Sequence, residues 1–375
     1  MENKEFLIEE ANRCLKCKNA RCMNACPIGT EIPKIIDLFQ QEKYMEAGKI
    51  LFENNPMSLV CSLICPFENQ CMGSCIRGIK GESINFPKIE NFIMNKYLRE
   101  TKFENAKSNG KKVAIIGAGP SGLSGAFYLR RLGYEITIYS DHEKMGGMLR
   151  YGIPEFRLSK DNVDLLEEKV YETGIEFKGG ISITEEVLKN LKKDYDAILV
   201  NTGAWIPKTL NIKGNEKDIV LYGIDYLKND IDLGKDKKVV VIGAGNVAMD
   251  VARTAKRQGN DVVIAYRKTL DRAPATRAEI NDTKEDGVNF IEEVTPIEIL
   301  DNGILLEENN SKRQFIYDCN NVIIAVSQKS QFNIENLKGY FYGGDLLTGP
   351  DTVVRASLTG KESAKQIHEY LSGKE

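Results

Sequence analysis

The chain has 375 residues, 42% of them hydrophobic, enough for two or three folded domains rather than one core. Its 51 Lys and Arg against 54 Asp and Glu leave a net charge of -3, which gives no overall field of the kind that nucleic acid or an anionic membrane surface would need. No stretch approaches the roughly 20 consecutive apolar residues of a membrane span, and the acidic N-terminus MENKEFLIEE lacks an apolar leader core, so a cytoplasmic location is expected.

Eight of the nine cysteines lie between Cys14 and Cys75, as Cys14-x2-Cys17-x4-Cys22-x3-Cys26-Pro27 and Cys61-x3-Cys65-x5-Cys71-x3-Cys75. Between the two sets, Ile32 to Phe39 and Tyr44 to Phe52 have the apolar spacing of helices, which predicts a small helical, cysteine-rich domain. Clustered thiols in a reducing compartment bind metal rather than pair. A run of close cysteines ending in Cys-Pro resembles the ferredoxin pattern, although thiolates suit zinc as well as iron–sulfur clusters.

Residues 99–112, RETKFENAKSNGKK, have the polar composition of a linker. Beyond them Val113 to Ile116 predicts a buried strand, running into Gly117-x-Gly119-x-x-Gly122, an apolar-periodic helix to Leu132 and a second strand at Glu135 to Tyr139. A glycine loop between strand and helix lets backbone amides and the positive helix end face a pyrophosphate. The order repeats at Lys238: VVVIGAGNVAMDVARTAKRQG, then the strand VVIAY. There Gly243, Gly245, Asn246 and Ala248 form the turn, and Arg267, Lys268 and Arg272 follow the second strand with no acidic residue among Tyr266-Arg267-Lys268. Cations at that place favour the 2′-phosphate of NADPH over the ribose of NADH. Two nucleotide-binding units also tip the cysteines towards clusters, since they give electrons a source. The acidic, Asn-rich stretch from Leu305 to Asn310 is expected to be a surface turn, Cys319 a small buried residue, and His142 and His368, which show no ligand spacing, surface residues.

The first cysteine run, NPMSLVCSLICPFENQCMGSC, GAGPSGLSGAFYLRRLG, GGMLRYGIPEFRL, GAGNVAMDVARTAKRQG and GGDLLTGPDTVVRAS together resemble the family of glutamate synthase small subunits. The same motifs are similar to the N-terminal half of dihydropyrimidine dehydrogenase and to the large subunit of NADH-dependent ferredoxin:NADP oxidoreductase. The resemblance spans nearly the whole chain. It implies an α/β protein, with an N-terminal α-helical iron–sulfur domain followed by two Rossmann-like nucleotide-binding domains, the FAD domain being discontinuous. The expected boundaries are 1–108 for the cluster domain, 109–208 with 325–375 for FAD, and 209–324 for NADPH.

The resemblance further implies two [4Fe–4S] clusters, one on Cys14, Cys17, Cys22 and Cys75, the other on Cys26, Cys65, Cys71 and an oxygen ligand at Glu90, with Cys61 outside both. For FAD it points to Gly117, Gly119, Gly122, Gly147, Met148, Arg157, Gly203, Gly344, Asp345, Val353 and Val354. Where the family carries Glu for the adenosine ribose, this chain has Ser140 and then Asp141, so either Asp141 takes its place or FAD is held more weakly. The stretch from Pro296 to Gly343 looks shorter than the family's.

The implied activity is that of an NADPH-dependent oxidoreductase subunit that passes electrons through FAD and the clusters to a partner. A glutamate synthase large subunit is expected first, within a hetero-oligomer, because no amidotransferase nucleophile, FMN barrel or pyrimidine pattern is visible. The alternatives are an electron-bifurcating transhydrogenase subunit, a stand-alone NADPH:acceptor oxidoreductase serving a ferredoxin-like carrier, and a non-catalytic redox sensor or assembly module.

Overall fold

The computed structural model describes residues 4–332, 334 and 337–373, which divide into two compact units. The first comprises residues 1–150, 155–204 and 332–375, and the second 151–154 and 205–331. Among the described residues no helix is long and apolar enough to cross a membrane.

The first unit begins with short helices. In Ile32–Gln40 the spacing of Ile32, Ile35, Ile36 and Phe39 puts all four on one buried face. Helix Phe86–Glu100 starts at Asn85, whose side chain accepts from Lys88 N–H, and has Pro87 in its first turn. It buries Ile89, Ile93 and Met94 completely, and Glu90 among them. Five parallel strands follow in the same unit, ordered Tyr340–Tyr342, Ala197–Val200, Lys112–Ile116, Glu135–Tyr139 and Glu176–Lys178. The chain leaves after Ala197–Val200 and returns as the edge strand Tyr340–Tyr342, so this sheet is discontinuous in sequence.

The polar stretch beyond Glu100 is tied down along its length. Phe103 N–H donates to Glu172 at 2.8 Å, Lys169 Nζ to the Thr101 carbonyl at 3.2 Å, and the Arg130 guanidinium to the Ala106 carbonyl at 2.6 Å. The Phe103 ring lies 4.7 Å from that of Phe52, which in turn meets Phe127 at 4.9 Å. The C-terminal helix Val353–Ser372 completes the bond between helices and sheet: Ser357 Oγ donates to Asn55 Oδ1 at 2.7 Å and Lys361 Nζ to the Asn54 carbonyl at 2.8 Å. For this reason the cysteine-bearing helices and the first nucleotide fold form one unit.

The second unit holds another parallel sheet, Val220–Tyr222, Asn321–Ile324, Lys238–Ile242, Asp261–Ala265 and Asn289–Ile291 in spatial order. Helix Asn246–Arg257 covers one face through Ala248, Val251, Ala252 and Ala255. An antiparallel meander, Val294–Leu300, Gly303–Glu308 and Gln314–Asp318, covers the other. Residues 305–310, expected as a surface turn, are therefore corrected in part: Leu305 to Glu308 belong to the meander's central strand, with Leu306 fully buried beside Ile304 and Ile299, while Asn309 and Asn310 form the turn that follows. The alternation of Ile304 and Leu306 with their neighbours carried the strand signal, which the acidic residues masked. Cys319 is buried in the same core, its thiol pushed up to about 12 by burial.

Candidate functional site

In the first sheet, strand Lys112–Ile116 ends at Gly117, whose φ of +109° only glycine adopts without strain. A side chain there would also meet the Asn201 carbonyl at 2.3 Å, and one at Gly122 the Gly117 carbonyl at 1.9 Å. Gly119 caps helix Pro120–Arg131, and its backbone lies against Gly147. Gly343 and Gly344 approach Ser121 from the returning strand, and Gly203 continues the neighbouring one. The structure thus gathers Gly117, Gly119, Gly122, Gly147 and Gly344 at one end of the sheet, with Met148 and Asp345 each opening a short helical turn there.

Two polar atoms at this end are buried without a partner among the described residues, Asn201 Nδ2 and Thr202 Oγ1, while Asn201 Oδ1 accepts from Ser121 Oγ at 2.8 Å. Such orphaned groups fit a polar ligand laid across the glycines. Ser121 lies in the glycine motif, and the resemblance extends to Asn201-Thr202-Gly203; the fold adds that the Ser121 and Asn201 side chains meet and that Asn201 Nδ2 and Thr202 Oγ1 are left unpartnered among the described residues.

Asp345 is half-buried, and desolvation first, then the charge of Asp351, pushes its carboxyl up to about 7 against a hydrogen bond from the Asp351 backbone. A folded value above the unfolded one means that ionising Asp345 destabilises the ligand-free fold progressively between about pH 4 and pH 7. Asp345→Asn is therefore expected to stabilise flavin-stripped protein, with a gain that grows by about 2–3 kcal/mol from pH 5 to pH 8 in urea titrations. A gain independent of pH would show that the carboxyl titrates normally.

Val353 opens the C-terminal helix and Val354 is buried in its first turn; Arg157 is half-buried and engaged with its surroundings. Asp141 is exposed and accepts from His142 Nδ1 at 2.6 Å. The expectation that His142 and His368 are surface residues is corrected here. The His142 side chain is 9% exposed, and His368 Nδ1 shares a 2.9 Å hydrogen bond with the Tyr134 hydroxyl beneath the C-terminal helix. His368 is half-buried, and its Tyr134 partner lies far off in the chain, where spacing cannot show it; the low exposure of the His142 side chain has no signal in the sequence either.

In the second sheet Gly243 has φ +128°, and a side chain there would meet the Ala325 carbonyl at 2.3 Å. Gly245 caps helix Asn246–Arg257, and Ala248 is fully buried against the sheet. Asn246 Oδ1 accepts from Thr276 N–H at 3.2 Å, which ties the following loop to the helix start. The backbone carbonyls of Arg267, Lys268 and Arg272 are held by Asn309, Glu293 and Tyr266, so the three cations are presented from a fixed rim. Their side chains are exposed and form no ion pair among the described residues.

The cysteines separate into two groups. Burial raises the Cys14 and Cys22 thiols, the latter to about 11, and the neighbouring charge of Cys75 acts on both. Cys14, Cys17, Cys22, Cys71 and Cys75 all line one surface pocket. Cys71 is raised by burial and by the charges of Glu90 and Cys26, and Cys65 by its hydrogen bond with Cys61, by burial and by Glu90. Glu90 itself is pushed up to about 7 by burial, against the pull of the Ser58 hydroxyl it accepts from. Cys61 is buried and accepts from Asn55 Nδ2 at 3.3 Å.

Among the described residues no three His, Cys, Asp or Glu side chains close on one point as ligands of a single ion would. Two sets of thiols, one joined by a carboxylate, supply the soft donors that iron–sulfur clusters take.

Comparison with known proteins places residues 1–102 in the family "dihydropyrimidine dehydrogenase domain II, 4Fe-4S cluster" and residues 111–339 in "pyridine nucleotide-disulphide oxidoreductase". The chain is 33% identical to the NAD-dependent dihydropyrimidine dehydrogenase subunit PreT of Salmonella typhimurium over 97% of its own length and 94% of that protein. It is equally 33% identical to the glutamate synthase [NADPH] small chain of Escherichia coli K12, over 96% of its length and 91% of that protein. Among solved structures, Mycobacterium tuberculosis FprA in complex with NADPH superposes with a TM-score of 0.61 at 17% identity, over 70% of this chain and 85% of that one, a likeness of fold.

Proposed function

Since the chain belongs to the iron–sulfur oxidoreductases with a pyridine-nucleotide fold, together with glutamate synthase small chains and PreT subunits, we propose that it is the cytoplasmic electron-input subunit of a two-protein enzyme. It oxidises NADPH and delivers electrons to a partner that carries the second substrate. The observation that bears most weight is the pairing of an orphaned polar cradle at one nucleotide loop with a cationic rim at the other.

Asn201, Thr202 and Asp345 would hold FAD across Gly117, Gly119, Gly122, Gly147 and Gly344, with Met148, Arg157, Gly203, Val353 and Val354 around it and Asp141 at the adenosine ribose. Gly243, Gly245, Asn246 and Ala248 would take the NADPH pyrophosphate on the helix start, and Arg267, Lys268 and Arg272 its 2′-phosphate. Cys14, Cys17, Cys22 and Cys75 would carry one [4Fe–4S] cluster, and Cys26, Cys65, Cys71 and Glu90 the other. When bound, the flavin accepts hydride and the clusters pass single electrons onward. The protein's own part is to position: Asn201 and Thr202 would fix the flavin's polar portion, and burial around Glu90 would keep water from the cluster held there.

A glutamate synthase large subunit is the first reading of the partner. The equal identity to PreT supports a second, a dihydropyrimidine dehydrogenase catalytic subunit. Protein purified without oxygen is expected to contain about eight iron, eight sulfide and one FAD per chain, and NADPH should bleach the flavin band. Four iron, or zinc in place of iron, would refute the two-cluster path.

A further inference from the structure

Cys61 stands in the second cysteine set, yet neither proposed ligand group uses it. It lies on helix Ser58–Ile64 and is only 3% exposed. One turn on, Cys65 N–H donates to the Cys61 carbonyl at 3.1 Å, which sets the two side chains on one face, and their sulfurs are hydrogen-bonded to each other. The same helix begins at Ser58, whose hydroxyl donates to Glu90. Ser58 and Cys61 thus touch two of the four donors proposed for that group, Glu90 and Cys65.

The direction of these hydrogen bonds is set by their neighbours. Asn55 Oδ1 accepts from Met57 N–H at 3.1 Å and from Ser357 Oγ at 2.7 Å. A backbone N–H can only donate, so the amide cannot be turned over, and Nδ2 is the end that faces Cys61 Sγ, at 3.3 Å. Cys61 therefore accepts from Asn55 and keeps its own hydrogen for Cys65, which as a thiolate ligand can only accept. Ser357 belongs to helix Val353–Ser372, and its carbonyl accepts from Ser124 Oγ at 2.9 Å. Asn55, Ser124 and Ser357 are all at most 2% exposed, so bulk water does not compete for these partners.

We propose that Cys61 is a positioning residue for the cluster on Cys26, Cys65, Cys71 and Glu90: its thiol donates to the Cys65 sulfur, Asn55 holds it in that orientation, and this hydrogen bond raises the potential at which the cluster takes up an electron. This role deepens the electron-input reading and rests on it, with Cys65 as a ligand. The electron is one of the two that each NADPH releases; no proton passes to Cys65, and the Cys61 sulfur makes no bond to iron. Reduction leaves more negative charge on the ligand sulfurs, so a donor aimed at one of them stabilises the reduced state more than the oxidised one. A thiol is a weak donor, but in a buried site its effect is not screened.

The test is a redox titration of the anaerobic holo-protein followed by electron paramagnetic resonance, reading the signal that survives in Cys75→Ala. Cys61→Val fills much the same space without a donor, Cys61→Ser keeps a donor, and Cys61→Ala stands in for the first where a branched side chain dislodges iron. At a fixed potential Cys61→Val is expected to lower the ratio of reduced to oxidised cluster about tenfold, a downward shift of about 59 mV for one electron. Cys61→Ser should stay within about threefold of wild type, and neither the other signal nor the flavin potential should move. An unchanged ratio in both donorless variants, with iron retained, would overturn the proposal. So would a shift in Cys61→Ser as large as that in Cys61→Val, which would make the effect one of packing. Loss of about four iron per chain in Cys61→Val, Cys61→Ala and Cys61→Ser alike would also overturn it, by making Cys61 a ligand. Wild-type protein with only about four iron per chain is a separate signal, and would sink the two-cluster reading itself.

Discussion

Replacing Cys75 by alanine is expected to remove one cluster's iron and sulfide, about four of each, and to drop reduction of any protein acceptor to background while NADPH still bleaches the flavin at near the wild-type rate. Cys75 lies 53 residues beyond Cys22 in the chain, yet its charge acts on both Cys14 and Cys22 across their shared pocket. Without it the pocket keeps Cys14, Cys17 and Cys22 and lacks one of the four thiolates that would hold the cluster. The other group, with Cys26, Cys65, Cys71 and Glu90, keeps all its donors. Electron paramagnetic resonance of the dithionite-reduced protein should therefore lose one signal and retain the other. Loss of all iron, or of flavin bleaching, would mean that Cys75 serves the whole unit's folding. Retention of every iron would instead remove Cys75 from the ligand set.

Arg267→Glu/Lys268→Glu is expected to raise the KM for NADPH roughly 100-fold while leaving that for NADH within about threefold. Two exposed charge-assisted contacts to a 2′-phosphate contribute about 1.5 kcal/mol each, and about 1.4 kcal/mol is tenfold in affinity. NADH lacks the phosphate and meets neither contact. Because the main chain of both residues is held by Asn309 and Glu293, the exchange leaves the loop in place. The site should then prefer NADH, with FAD content and kcat preserved. An equal loss with both nucleotides would show that these residues bind the shared pyrophosphate or hold the loop, and an unchanged NADPH KM would leave Arg272 as the candidate phosphate partner. The experiment also bears on kinship, since the PreT relative is named as NAD-dependent and the glutamate synthase relative as NADPH-dependent, at the same identity to this chain.

Much of the chemistry was legible in the chain because it is carried by local pattern. Glycine turns need their residues at fixed spacing between a strand and a helix, so both nucleotide loops could be read directly, and strand Glu135–Tyr139 falls where alternation put it. Helices Ile32–Gln40 and Tyr44–Asn54 likewise follow from apolar period alone. What spacing could not give was long-range partnership. The polar stretch after Glu100 has the composition of a free linker, yet Glu172, Lys169 and Arg130 hold its backbone, because its own few apolar and carbonyl groups find partners on another element. His368 read as solvent-facing for the same reason, its Tyr134 partner lying far off in the chain, and the acidic strand of the meander was hidden by residues that point away from the core.

By itself, then, the sequence determined the kinds of site present: soft-ligand runs, two phosphate-binding turns and a cationic strand end, each a property of a few consecutive residues. How they combine is a matter of tertiary structure, which spacing cannot give. The resemblance implied Cys75 with the first cysteine run and Glu90 with Cys65 and Cys71; the fold sets Cys75 in one pocket with that run, Glu90 where its charge acts on Cys65 and Cys71, and Asn201 and Thr202 at the glycine end of the sheet. These arrangements depend on which apolar faces pack together, and packing joins residues by shape and burial without regard to their distance along the chain.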